Sequence, residues 1–209
     1  MTHRLPAAAC VALLITGCAS APLARTYVLG SPQPAAMDRL PALAGDRIFV
    51  GAVAIPDYLD STDILTREGD HRLVTSPTGR WGERLSAGLR DALAAELRTR
   101  LQGYFITTTR DLAPTGRQLW VTVSSWDVWS DGRCMLSASW SIVDKGGLSP
   151  ILSQQTSNMA PGAGPGAGGD GPVVASMASA VATLADRIAA SLANSRQPLA
   201  GATTTDTSP

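Results

Sequence analysis

Histidine is almost missing from this chain. There are two in 209 residues, and His3 falls in an N-terminal stretch with the form of a removable signal. His71 would then be the lone histidine of the mature protein, which excludes a multi-histidine metal site and leaves a Ser-His-Asp triad unsupported. Cysteine is as scarce: Cys10 lies inside the same stretch, Cys18 at its end, and Cys134 far downstream. Cys134 is therefore expected to stand alone, without an internal disulfide, as a buried structural thiol on a strand. Charged residues make up only 16 %, with 17 basic against 17 acidic, so no net field draws the chain to nucleic acid. The 44 % of apolar residues is ample for a core, and the length suits one domain.

Residues 1–17 begin with His3 and Arg4 and continue into the apolar run from Ala7 to Ile15. That run is well short of the roughly 20 residues that cross a bilayer, and has the size of a signal-peptide core. It ends in Ile15-Thr16-Gly17-Cys18, which lacks the small-x-small pattern of ordinary signal cleavage and matches the bacterial lipobox. The small side chains let a peptidase approach the backbone, and the Cys18 thiol is the acceptor for the lipid. Residues 18–25 then read as a lipidated tether. Ala19 in place of aspartate favours the periplasmic face of the outer membrane over the inner membrane.

Along the rest of the chain, Thr26 to Leu29 reads as a short strand and Arg47 to Ile55 as a longer one closed by Pro56. Segments 64–67 and 72–75 flank Gly69 as a hairpin. The period changes from about Gly79: Leu85, Leu89, Leu93, Leu97 and Leu101 recur every four residues, the mark of an amphipathic helix ending near Gly103. Strands are expected at 104–108, at 119–129 with a bulge near Ser124-Ser125, at 133–143, and at 151–156. Asp131-Gly132 supplies the turn that makes the middle two antiparallel. Residues 161–172 are glycine-rich but lack the Gly-Lys-Ser/Thr ending of a phosphate loop, and read as a flexible loop. Val174, Met177, Val181, Leu184, Ile188 and Leu192 trace a final helix, and 195–209 a disordered tail. The fold class is therefore α/β (α+β): a single domain over 26–194, with a mixed, mostly antiparallel sheet and two long helices packed on it.

Three short segments carry more specific content: residues 56–60 (Pro-Asp-Tyr-Leu-Asp), 63–67 (Asp-Ile-Leu-Thr-Arg), and Arg80-Trp81-Gly82-Glu83-Arg84-Leu85. With Tyr27 and Leu29 ahead of them and a lipobox in front, their order and spacing resemble the ABC-type transport auxiliary lipoproteins, the PqiC-like family. Ser61 stands where that family often has a basic residue, and Leu65 replaces its usual valine. The resemblance implies a non-catalytic, periplasm-facing lipoprotein with no cofactor and no metal. It implies as partners an MCE-domain protein and an inner-membrane permease or multi-pass protein of a lipid transport system. Self-association into a homo-oligomer is compatible with it.

The residues themselves agree with a non-catalytic role, because the ionisable side chains form no credible active site. Asp57, Asp60 and Asp63 superficially form a carboxylate cluster for metal or glycoside chemistry, but read better as turn-capping groups of a loop leaving a strand, with Tyr58 and Leu59 packed inward. Partner-binding candidates are Asp57, Tyr58, Leu59, Asp60 and Arg67, the last either clamping a carboxylate of this loop, the preferred role, or reaching a partner. Trp81 and Trp140 are assigned to the core, and Trp126 or Trp129 is left as a candidate partner contact. The alternatives are a lipoprotein regulating a peptidoglycan synthase or other envelope assembly, and an envelope hydrolase, which the histidine count disfavours.

Overall fold

The computed structural model describes residues 24–30, 46–110, 116–143, 150–160 and 169–195, with only the backbone path for 150–160, 194 and 195. The signal peptide, Cys18, most of the tether, most of the glycine-rich loop and the C-terminal tail lie outside the described residues. The elements are β1 (Arg25–Tyr27), β2 (Asp46–Ala54), β3 (Asp63–Glu68), β4 (Arg72–Trp81), α1 (Leu85–Arg100), β5 (Tyr104–Thr107), β6 (Arg117–Val128), β7 (Cys134–Val143), β8 (Pro150–Ala160) and α2 (Asp170–Ser195). The expected class holds: mixed α/β, with two long helices. The strands divide between two sheets where the sequence suggested one. A three-stranded sheet runs β1-β4-β3, and a five-stranded sheet runs β5-β2-β6-β7-β8.

Parallel and antiparallel pairings are evenly mixed, more so than expected. β5, β2 and β6 run parallel, whereas β6, β7 and β8 form an antiparallel meander. In the smaller sheet β1 is parallel to β4 and β3 antiparallel to it. The hairpin between β3 and β4 turns at Gly69 with φ 61°, and that between β6 and β7 at Gly132 with φ 81°. These are left-handed positions where a side chain would strain the backbone.

Strand β4 is longer than the hairpin arm read from the sequence, and Trp81 ends it instead of opening the helix. Pro77 and Gly79 look like chain breakers. The register shift opposite β3, between Asp63 and Leu65, leaves room for them as a bulge. Ser76 keeps the bulge satisfied, its hydroxyl accepting the Thr78 and Gly79 amides at 3.1 Å each.

The helices cover one face of the larger sheet, α1 against β2 and β5, α2 against β7 and β8, and they pack on each other. Leu85, Leu89, Leu93 and Leu97 of α1 are buried, as are Met177, Val181, Leu184, Ile188 and Leu192 of α2. Val173 joins the α2 stripe and Val174 is partly buried against the core; the helix begins inside the glycine-rich segment. Residues Asp170–Ala193 are long and apolar enough to cross a membrane by length and composition, with mean hydropathy 1.4, yet their apolar face forms this core. The alternation of β7 is complete: Cys134, Leu136, Ala138, Trp140 and Ile142 point inward. Trp81 and Trp140 are interior, as read from the sequence.

Leu93 is fully buried at the centre of the α1 stripe. Leu93→Ala should cost about 2–5 kcal/mol, and Val181→Ala less, since fewer atoms leave the core. Urea and thermal unfolding of both variants measure this. A neutral Leu93→Ala would mean that the stripe faces no core.

Candidate functional site

The loop between β2 and β3 is shaped by Pro56, which cannot donate to a ladder and ends the strand. The chain then turns tightly, the Leu59 amide donating to the Pro56 carbonyl at 2.9 Å and the Asp60 amide to that of Asp57 at 3.2 Å. Its side chains separate into two groups. Asp57 is exposed, and Tyr58 is 49 % exposed, a correction to its expected inward packing. Leu59 is 4 % exposed and belongs to the core, so it cannot meet a partner.

Asp60 is a capping group. Arg84 precedes α1 without capping it by its own side chain, and Asp60 Oδ1 accepts the Ser86 amide at 3.2 Å instead. Arg84 donates to the Asp60 carbonyl oxygen at 3.0–3.2 Å. The hydrogen bonds from Ser86, with Arg84 nearby, hold the Asp60 carboxyl below its ordinary pKa. Asp63 pairs with Arg80 at 2.7 Å. Asp60 and Asp63 therefore face different partners and Asp57 is exposed, and among the described residues no group of His, Cys, Asp and Glu is arranged to hold a metal.

Arg67 is a clamp, but not of this loop. Its Nε and one terminal nitrogen converge on Asp127 Oδ1 at 2.6 and 2.5 Å, and the other terminal nitrogen donates to the Asp70 carbonyl at 2.8 Å. Asp127 belongs to the far half of β6, beyond the end of β2. The sequence could not show this pairing, because the partner lies 60 positions away. An isolated bridge between Arg67 and Trp129 marks the same junction, so β3 meets β6 where β2 has stopped. Both side chains are mostly sheltered, 20 % and 11 % exposed.

The bulge in β6 falls between Val123 and Ser125, where the change of phase predicted it. It returns Trp126 and Val128 to the core side, and Trp126 is 3 % exposed. Trp126 is thus removed from the partner-facing surface: its indole N–H donates to Cys134 Sγ at 3.1 Å, a use for the nitrogen that periodicity does not reveal. Trp129 stays partly exposed at the β6–β7 turn, with the Arg133 guanidinium 5.1 Å from its ring centroid. Burial pushes the Cys134 thiol up to about 11; the Trp126 N–H lowers it and the Asp127 charge raises it further.

The assembled region is an exposed Asp57-Tyr58 corner on a loop fixed by a helix cap and a buried core residue, with an arginine clamp behind it. Such an arrangement presents a surface. The comparisons with known proteins agree on the class of molecule. The sequence model of the family described as "ABC-type transport auxiliary lipoprotein component" matches residues 27–189, and the chain belongs to that family. It is 28 % identical to the intermembrane transport lipoprotein PqiC of Escherichia coli K12 over 138 residues, 66 % of this chain and 73 % of that protein, and equally to PqiC of Shigella flexneri. The crystal structure of an uncharacterized protein has the same fold, with a TM-score of 0.65 at 22 % identity over 81 % of this chain and 99 % of that one. A Xanthomonas campestris protein does too, at 0.59 and 14 %, over 79 % and 93 %. The resemblance read from the three sequence segments is borne out, and the protein is an auxiliary lipoprotein of a transport system.

Removing one member of a sheltered ion pair strands the other, at a cost of about 3–5 kcal/mol. Arg67→Ala and Asp127→Ala should each lose stability on that scale, and the double variant less than their sum, measured as a double-mutant cycle of urea unfolding. Additive losses would mean that the two side chains act separately.

The thiol gives an independent readout. Native Cys134 holds its proton to about pH 11 against an ordinary value of 9.0, so above pH 9 the unfolded chain binds fewer protons than the native one. The stability this contributes is full below pH 9 and lost as pH rises towards 11. Thiolate absorbance of the folded protein should appear near pH 11, and Cys134→Ala should flatten the alkaline decline in stability.

Proposed function

We propose that the protein is a non-catalytic docking lipoprotein, anchored through Cys18 to the outer membrane at its periplasmic face, that serves an MCE/ABC-type lipid transport system. The carrying observation is the family match, which runs from β1 into α2 and includes the β2–β3 loop. The name of the Escherichia coli relative, an intermembrane transport lipoprotein, supports transport between membranes as the setting. The partners in this reading are an MCE-domain protein and an inner-membrane permease or multi-pass protein.

Of the candidate contacts, Asp57, Tyr58 and Trp129 have the exposure that docking needs. Asp60 and Arg67 support them from behind through the α1 cap and the Asp127 pair. Asp60 and Arg67 are engaged in these structural pairs, which favours a binding role over a chemical one.

Two experiments test the reading. Cys18→Ser should yield an unlipidated precursor with its signal uncleaved, followed by metabolic labelling with a palmitate analogue; label retained on the variant would remove the anchor. Asp57→Arg should abolish co-purification of the mature protein with its MCE-domain partner while leaving the melting temperature unchanged. Undiminished co-purification would exclude this corner as the contact.

A further inference from the structure

Three large apolar side chains are exposed among the described residues: Val28 at 60 %, Tyr58 at 49 % and Trp120 at 37 %. Trp120 lies over Gly51 on the larger sheet, away from the others. Val28 and Tyr58 both flank the start of α1. Val28 follows β1 and sits against Gly82, two residues ahead of the residue that precedes the helix. Tyr58 is two residues before Asp60, which caps that same helix. A shallow groove lined by Tyr27, Val28, Trp81, Gly82 and Arg84 joins β1 to the helix start.

The chain itself limits how far this corner can be from a bilayer. Only residues 19–24 separate Cys18 from β1, and a fully extended chain advances at most about 3.6 Å per residue, so Arg25 lies within about 25 Å of a lipid carried on Cys18. The charges exposed at the corner are nearly balanced, Arg25 and Arg84 against Asp57 and Glu83, with the exposed Arg80 paired to Asp63. A protein partner of one strong charge finds no complement there, whereas the neutral interface of a bilayer suits an aromatic ring with a polar edge beside an aliphatic side chain.

We propose that the Val28–Tyr58 corner rests on the phospholipid surface to which Cys18 anchors the protein, with Val28 and the Tyr58 ring at the interface. The proposal rests on the lipid anchor of the functional reading. It adds an orientation: the start of α1 faces the bilayer, and the far end, about 24 Å along a 16-residue helix, faces away. A protein partner gripping Asp57 would then be met at the membrane surface.

The test uses the full-length, processed protein with its acylation verified by intact mass, reconstituted in phosphatidylcholine vesicles. A nitrobenzoxadiazole probe is placed in separate preparations at Val28→Cys, Tyr58→Cys and Gln102→Cys, the last an exposed site beyond the far end of α1. Cys18 is capped by its lipid and Cys134 is buried, so neither takes the probe. Emission from positions 28 and 58 should shift to shorter wavelength and be quenched by doxyl-labelled lipid, in low and high salt alike, while position 102 does neither. Acylated, vesicle-bound protein whose three probes behave alike would overturn the proposal and leave the anchor standing. A shift that appears only on adding the MCE-domain protein would also overturn it, making the corner a protein contact. Protein without acyl mass would remove the anchor and the proposal together.

Discussion

The Arg67–Asp127 pair closes the molecule. Strand β2 accompanies only the first part of β6, and β6 continues past it with a bulge that turns Trp126 and Val128 back into the core. The exposed flank left beside that second half is met by β3, and the Arg67 fork on Asp127 fixes the contact. A sheltered carboxylate without its guanidinium would be a charge without solvent, so the pair gives the two sheets one permitted arrangement. The chain joining β2 to β3 has to leave the sheets to make the connection, and the Asp57-Tyr58 loop is what leaves.

The helices are tied to this frame by polar contacts at their ends as well as by leucines along their lengths. Arg100, late in α1, reaches Asp186 of α2 at 2.5 Å, and that contact raises the guanidinium's proton affinity further. At the start of α2, Asp170 is buried and accepts from Thr78 of β4 at 2.9 Å. Gly79 lies directly beneath that carboxylate, and any Cβ there would collide with it. The small sheet is therefore held twice, by Arg67 to β6 of the large sheet and by Thr78 to Asp170 of α2.

Periodicity carried most of the fold. The leucines of α1 and the alternation of β7 were legible because burial repeats with the geometry of the element, and the β6 bulge because a phase change has one simple cause. The exact reach of β4 was not, since a proline and a glycine read as breakers until a serine hydroxyl is seen satisfying the amides around them. The division into two sheets depends on strand order, which alternation does not encode. The site was legible as a region and less so as roles. Asp57 and Tyr58 are exposed, but Leu59 owes its position to the core, and Asp60, Arg67 and Trp126 owe theirs to Ser86, Asp127 and Cys134, partners 26, 60 and 8 positions away in sequence. A single sequence offers no signal for such pairs.

The cap on α1 comes from outside the helix. Because Asp60 supplies the acceptor for the Ser86 amide, the loop that exposes Tyr58 and the first turn of α1 cannot loosen independently. Any ligand that grips the loop in its native shape also binds against unfolding of the helix, and mass action turns occupancy into thermal stability. The domain thereby works as its own reporter: a rise in melting temperature registers engagement of the corner, with no label attached.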